Sequence, residues 1–153
     1  MKLDIKFEDD SLNKLIKHVE DVTRKAPEKL QAELDKSGFR IETGAKERCI
    51  TDTARLKTSI HVRSINTPKK HSYSDKHGNT FTSVLPVIPK KSEAYVGTDV
   101  EYAYDIHSNG GVKTNAILGG NGKGFLFNAY EADKPKLMTG LNKVLDEALN
   151  EIR

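Results

Sequence analysis

Tryptophan is absent from this 153-residue chain, and cysteine occurs once, at Cys49. A lone cysteine excludes an internal disulfide and any zinc site built from several thiolates. No apolar run approaches the roughly 20 residues that a membrane-spanning helix needs, so no membrane partner is expected. The N-terminal Met1-Lys2-Leu3-Asp4-Ile5-Lys6 lacks the continuous apolar stretch of a signal peptide, and an intracellular, cytoplasm-assembled protein is expected. Hydrophobic residues make up only 36% of the chain and charged residues 31%. So surface-rich a composition suits a small or elongated domain, or one whose burial is completed in an oligomer. The length suits a single domain over residues 1–153.

The net charge of +3 is unevenly spread. Residues 1–50 balance, residues 51–100 carry an excess of +4, and residues 101–153 carry −1. The excess sits at Lys69, Lys70 and Lys76 and at Lys90-Lys91. That asymmetry falls short of a nucleic-acid footprint.

What is present is a run of periodic segments. Lys2 to Phe7 alternates apolar with charged residues, which predicts a half-buried strand. Glu8 to Ser11 supplies helix-starting acids and caps, and Leu12, Leu15, Ile16, Val19 and Val22 form one helical stripe. Pro27 predicts a second helix beginning there and running to about Ile50. Gly38 and Gly44 inside it point to a bend or to close backbone approach. Residues 51–60 then convert helix to strand.

Ile60 to Ser64 reads as a strand, the polar stretch 66–79 as the tip of a long hairpin, and Phe81 to Ile88 as the returning strand. Pro86 and Pro89 confine that strand to an edge or bulge. Glu93 to Thr98 adds another, so an antiparallel sheet of about 3–4 strands is predicted. Tyr102 to His107 fits one or two helical turns, and a glycine-rich loop runs to Gly124. The stripe from Phe125 through Leu137, Leu141, Leu145 and Leu149 is the strongest helical signal, with Pro135 either starting a helix or kinking one begun at Phe125. The fold class is therefore α+β, with 1–26 an N-terminal strand and helix ahead of a core over 27–153.

No reactive constellation emerges. The glycines near Lys123 lack the spacing and the Ser or Thr of a phosphate loop. His71 and His77, with Asp75 and Asn79, match no zinc pattern and read as solvated loop residues. His107 beside Asp105 lacks a nucleophile motif. Cys49 reads as a small buried residue. No cofactor, no metal and no catalytic residue is assigned, and an enzyme is not expected.

Three spaced motifs carry a family likeness. Asp52-Thr53-Ala54-Arg55-Leu56-Lys57-Thr58-Ser59-Ile60 resembles the "P-x-D-T-G-x-L-x-x-S-I" signature of the tail-completion, or head–tail joining, proteins of long-tailed bacteriophages. Val96-Gly97-Thr98 with Tyr102-Ala103 and Ile106 is similar to their "V-G-T … Y-A-x-x-V-E-x-G-T" segment. Gly124-Phe125-Leu126-Phe127-Asn128-Ala129 is similar to their "P-F-L-x-P-A" entry into the C-terminal helix. Order and spacing agree over about residues 42–150. Ile50 stands where the family has Pro, Ala54 where it has Gly, His107 where it has Glu, and Gly124 where it has Pro. Ala54 predicts a turn that does not need a positive φ.

The resemblance implies a small α+β subunit whose long central helix and C-terminal helix pack on the antiparallel sheet. It implies a non-enzymatic virion protein, a homo-oligomer forming a ring, usually hexameric, between the head connector or adaptor and the tail tube or tail terminator. DNA passing through such a ring would meet it only non-specifically. In this reading Asp52, Thr53, Arg55, Leu56 and Ser59 shape the structural turn. Lys69, Lys70, Tyr73, Lys76, Tyr102, Asn109, Lys123 and Phe125 are the expected assembly contacts. The alternative expectation is a small cytoplasmic nucleic-acid-binding protein that uses Lys69, Lys70 and Lys76 of the hairpin.

Overall fold

The computed structural model describes residues 9–50, 54–110 and 122–152. Its architecture is α+β: helix α1 (Asp9–Arg48), a short α2 (Arg55–Ser59), strands β1 (His61–Ser64), β2 (His71–Ser74), β3 (Thr80–Ser83) and β4 (Ala94–Gly97), then α3 (Ala103–Asn109) and α4 (Phe125–Ile152). The predicted strand over Lys2 to Phe7 lies outside the described residues.

Pro27 does not restart a helix. It sits inside α1, which runs for 40 residues, or about 60 Å. Pro27 is exposed, so the carbonyl that its missing N–H leaves unpaired lies on the outer side of the helix. Pro135 is likewise exposed within the 28-residue α4.

The two helices lie against each other and are joined by a buried polar clamp. Asp133 of α4 accepts hydrogen bonds from Ser37 Oγ at 2.5 Å and Arg40 Nε at 2.5 Å, both on α1. Further along, Lys29 reaches Glu147 at 3.4 Å and Glu151 at 3.2 Å on the surface, where solvent screens the attraction. Gly38 marks close approach rather than a bend: a Cβ built there would lie 3.0 Å from Val62 Cγ1 of β1.

The strands pair differently from the sequence expectation of one sheet. β1 pairs antiparallel with β4, with Val62 opposite Val96, and β2 pairs antiparallel with β3, with Tyr73 opposite Phe81. Among the described residues these are separate two-stranded sheets. The hairpin is therefore β2–β3, not β1 with the 81–88 segment, and its tip is only residues 75–79. Asp75 builds that tip: its Oδ1 accepts from His77 N at 2.8 Å and Asn79 N at 3.0 Å. β3 ends at Ser83, ahead of Pro86 and Pro89, which cannot donate to a ladder.

One apolar cluster joins the C-terminal end of α1 to everything that follows. Ala45, Cys49, Leu56, Ile60, Tyr73, Val100, Ala103, Phe125 and Ala129 pack together. Phe125 is fully buried, which is worth roughly 2–3 kcal/mol of apolar transfer.

Candidate functional site

The turn after α1 enters through a strained residue. Ala54 has φ 60° and ψ −15°, in the left-handed region, so the expectation of a turn without positive φ is wrong. A side chain with a Cβ pays about 1–2 kcal/mol there. The strained geometry aims the Ala54 carbonyl into α2, where it accepts from Thr58 N at 2.9 Å and Thr58 Oγ1 at 2.8 Å. Asp52 and Thr53 lie outside the described residues.

Leu56 and Ile60 point into the core, at 2% and 0% exposure. Ser59 is buried too. Its Oγ lies 2.7 Å from the Leu56 carbonyl and 2.5 Å from Thr98 Oγ1. The carbonyl can only accept, so Ser59 donates to it and Thr98 donates to Ser59. Thr98 Oγ1 in turn accepts from Val100 N at 3.1 Å. The relay ties the helix-to-strand turn to the loop after β4, and every hydroxyl proton in it has an acceptor.

The segment before α4 follows the same pattern. Gly124 has φ +65°, a backbone that Pro, fixed near −65°, cannot adopt. Its N–H donates to the His107 carbonyl at 2.7 Å. The His107 ring meets Phe125 edge-to-face at 5.3 Å. His107 is thus a packing residue of α3, and Gly124 a change in how the chain enters α4.

The expected contact residues separate into three groups. Lys69, Lys70, Lys76, Asn109 and Lys123 are exposed. Tyr102 is half-buried against the core. Tyr73 and Phe125 are core residues, a correction: burial inside the subunit leaves their rings no surface to offer a neighbour. Lys69 and Lys70 precede β2, whereas Lys76 lies in the turn at its far end, about 14 Å along four strand residues. They do not form one patch.

Arg55 of α2 sits with its guanidinium 4.7 Å over the Phe81 ring, and Phe81 stacks on Tyr73 at 5.5 Å. The row continues to His71 and then to His61, whose rings stack at 4.7 Å. This row runs through the contact between the hairpin and the rest of the subunit. No sequence period announces it, because its members come from four elements.

Two of the perturbed titratable groups, Cys49 and Asp133, are structural. Burial pushes the Cys49 thiol up to about 12, against a weak opposing pull from Lys57, so it stays protonated and unreactive at neutral pH. Asp133 is pushed up by burial but held below its ordinary value by hydrogen bonds from Arg40 and Ser37 and by the charges of Arg40 and Lys136. Among the described residues no group of three His, Cys, Asp or Glu side chains is placed to hold a metal ion, and no helix is long and apolar enough to cross a membrane.

Sequence reasoning missed an open apolar groove of about 460 Å³ between α1, β4 and α4, lined by Leu34, Ile41, Val96, Leu126 and Leu137. Phe127 and Tyr130 stand on its rim, at 60% and 41% exposure. The available signal was that α4 is apolar on more than one face at its start, where Phe125, Leu126 and Phe127 run consecutively.

Neither a family model, a curated protein nor a solved structure matches this chain.

Proposed function

We propose that this chain is a non-enzymatic virion subunit that completes the tail of a long-tailed phage, or joins tail to head, by assembling into a ring. The observation that carries the reading is convergence. The three motifs that resemble the head–tail joining family are far apart in the sequence, yet Leu56 and Ile60 of the first, Ala103 of the second and Phe125 and Ala129 of the third lie in one cluster. The Ser59–Thr98 contact joins the first two directly. Residues that match a family's pattern and also build a common core support shared architecture better than matches scattered over the surface would.

Assembly draws further support from the groove with its Phe127 and Tyr130 rim, since exposed apolar surface of this kind marks interaction sites. In this reading a homo-oligomeric ring, usually hexameric in the family, would meet the head connector or adaptor on one side and the tail tube or terminator on the other. DNA crossing the ring would be contacted non-specifically, and the protein would reside in the virion neck after assembly in the host cytoplasm.

Electron microscopy of purified protein mixed with tails tests this. Density at the head-proximal end of the tail is expected, and uniform absence from mature virions would overturn it. The nucleic-acid-binding alternative finds less support, because Lys69 and Lys70 stand at the opposite end of the hairpin from Lys76. A few separated phosphate contacts give only weak, salt-sensitive binding.

A further inference from the structure

The two stacked histidines lie where the hairpin meets the body. The β2–β3 hairpin shares no ladder with β1–β4. It is held by the buried Tyr73 ring, by Arg55 over Phe81, and by two hydrogen bonds to Thr58: His71 Nε2 to the Thr58 carbonyl at 3.0 Å, and Thr58 Oγ1 to the Ser74 carbonyl at 2.9 Å. A further attachment is the His61–His71 stack, with ring centroids 4.7 Å apart and planes 13° from parallel.

Partners fix both tautomers. His61 Nδ1 lies 2.9 Å from the Ser59 carbonyl, so it carries the proton and Nε2 carries the lone pair. His71 Nε2 carries the proton for the same reason, since it faces the Thr58 carbonyl. In this arrangement the His61 ring is neutral. His61 is 3% exposed, and its Nε2 has no hydrogen-bond partner.

We propose that the His61–His71 stack is an acid-operated latch: with His61 neutral the stack holds the β2–β3 hairpin on the body, and protonation of His61 at Nε2 releases it. A proton there would create a buried cation against the face of a second imidazole, which burial disfavours.

The charged groups around His61 do not rescue that cation. On α1, Glu42 is engaged: its Oε2 accepts from Val62 N at 3.1 Å and its Oε1 pairs with Lys46. Beyond β4, Asp99 Oδ2 accepts from Val84 N at 3.1 Å. Lys70, ahead of β2, lines the same small cavity as His61 and His71 and adds positive charge, as does Arg63 on β1 itself. Burial is the largest influence and holds the His61 ring below its ordinary value. The Ser59 hydrogen bond opposes this, His71 deepens it, and the charges of Glu42 and Asp99 oppose it without reversing it.

The sign follows. A histidine whose docked pKa is depressed stabilises the docked form fully above its free value of about 6.5. That stability is lost as pH falls from there toward the docked pKa, by up to about tenfold in the docking equilibrium per pH unit.

Amide hydrogen exchange on the full chain, compared between about pH 7.5 and about pH 5 and corrected for intrinsic rates, tests the latch in the window where histidine titrates. The opening constant of Ser72, Tyr73, Phe81 and Thr82 is expected to rise at the lower pH, by up to about tenfold per pH unit below about 6.5, while α1 and α4 amides keep their protection. His61→Phe, which keeps a ring but cannot take a proton, should abolish the rise. A direct titration of the His61 ring by nuclear magnetic resonance in the wild-type protein decides the question even if that variant fails to fold. Hairpin protection independent of pH, a His61 ring titrating at its free value, an equal rise in His61→Phe, or loss of helix protection in the same step would each overturn the proposal.

Discussion

Ser59 Oγ and Thr98 Oγ1 stand 2.5 Å apart and 39 residues apart in the chain. Both hydroxyls belong to a relay that ends on the Leu56 carbonyl, and Ser59 is fully buried. Ser59→Ala takes the acceptor from the half-buried Thr98 hydroxyl, and Thr98→Val takes it from the Val100 N–H. Ser59→Ala and Thr98→Val should each lower unfolding stability by about 1–3 kcal/mol. The double variant should cost less than the sum, because the orphaned partner goes with it. Urea denaturation of the four proteins measures this, and strict additivity would show that the contact is not formed.

The left-handed Ala54 makes an opposite forecast. Glycine adopts φ 60° without the Cβ penalty, so Ala54→Gly should raise stability by about 0.5–1 kcal/mol despite its more flexible unfolded state. A thermal melt that moves downward would place Ala54 outside the left-handed region in solution.

Gly38 faces Val62 so closely that its added Cβ would sit 3.0 Å from a methyl group. Gly38→Leu drives a full side chain between α1 and β1, and overpacking of this kind costs about 1–3 kcal/mol. Gly78, at φ +84° in the open hairpin turn, has no such neighbour. Gly78→Asn, a residue that tolerates left-handed backbone, should therefore shift stability by under about 0.5 kcal/mol. Equal losses at the two sites in urea titrations would argue against helix–sheet contact at Gly38.

Asp133 and Arg40 predict a pH dependence. The Asp133 carboxyl is held below its ordinary value, so its contribution is present above about pH 4, the free carboxyl value, and is lost as pH falls through the folded pKa. Asp133→Asn should cost about 1–3 kcal/mol at neutral pH, less than a fully buried pair because Arg40 is partly exposed. The variant should lose less stability than wild type between about pH 4 and about pH 2. Parallel acid denaturation curves for the two proteins would contradict the clamp.

Local pattern made the helices legible. The stripes leading to Ile41 and Ala45, and from Phe125 to Leu149, repeat at helical spacing, and α1 and α4 follow them. Pro27 misled, because a proline signals a boundary by its own chemistry, whereas tolerance of it depends on which side of the helix it occupies. Tyr73 misled for a related reason. Its neighbours are serine, histidine and lysine, so the stretch reads as solvated, and only the fold turns that one ring inward onto Phe81. The candidate contacts at Lys69, Lys70 and Lys76 were legible as charged surface, but not as residues at opposite ends of one hairpin.

By itself the chain's order of residues determined which stretches are helical (though not that Pro27 lies inside one helix), that the 51–60 segment must convert helix to strand, and that Cys49 would be a buried, inert thiol. Those outcomes depend on neighbours within a turn or two. Tertiary structure alone decided that β1 pairs with β4 rather than with the next apolar strand, that Ser59 reaches Thr98, and that His61 and His71 stack face to face. Strand pairing and buried polar contacts depend on which distant segments meet, and several registers satisfy the same period-two pattern. The choice among them rests on where α1 leaves room, and that room exists only once the helix is packed.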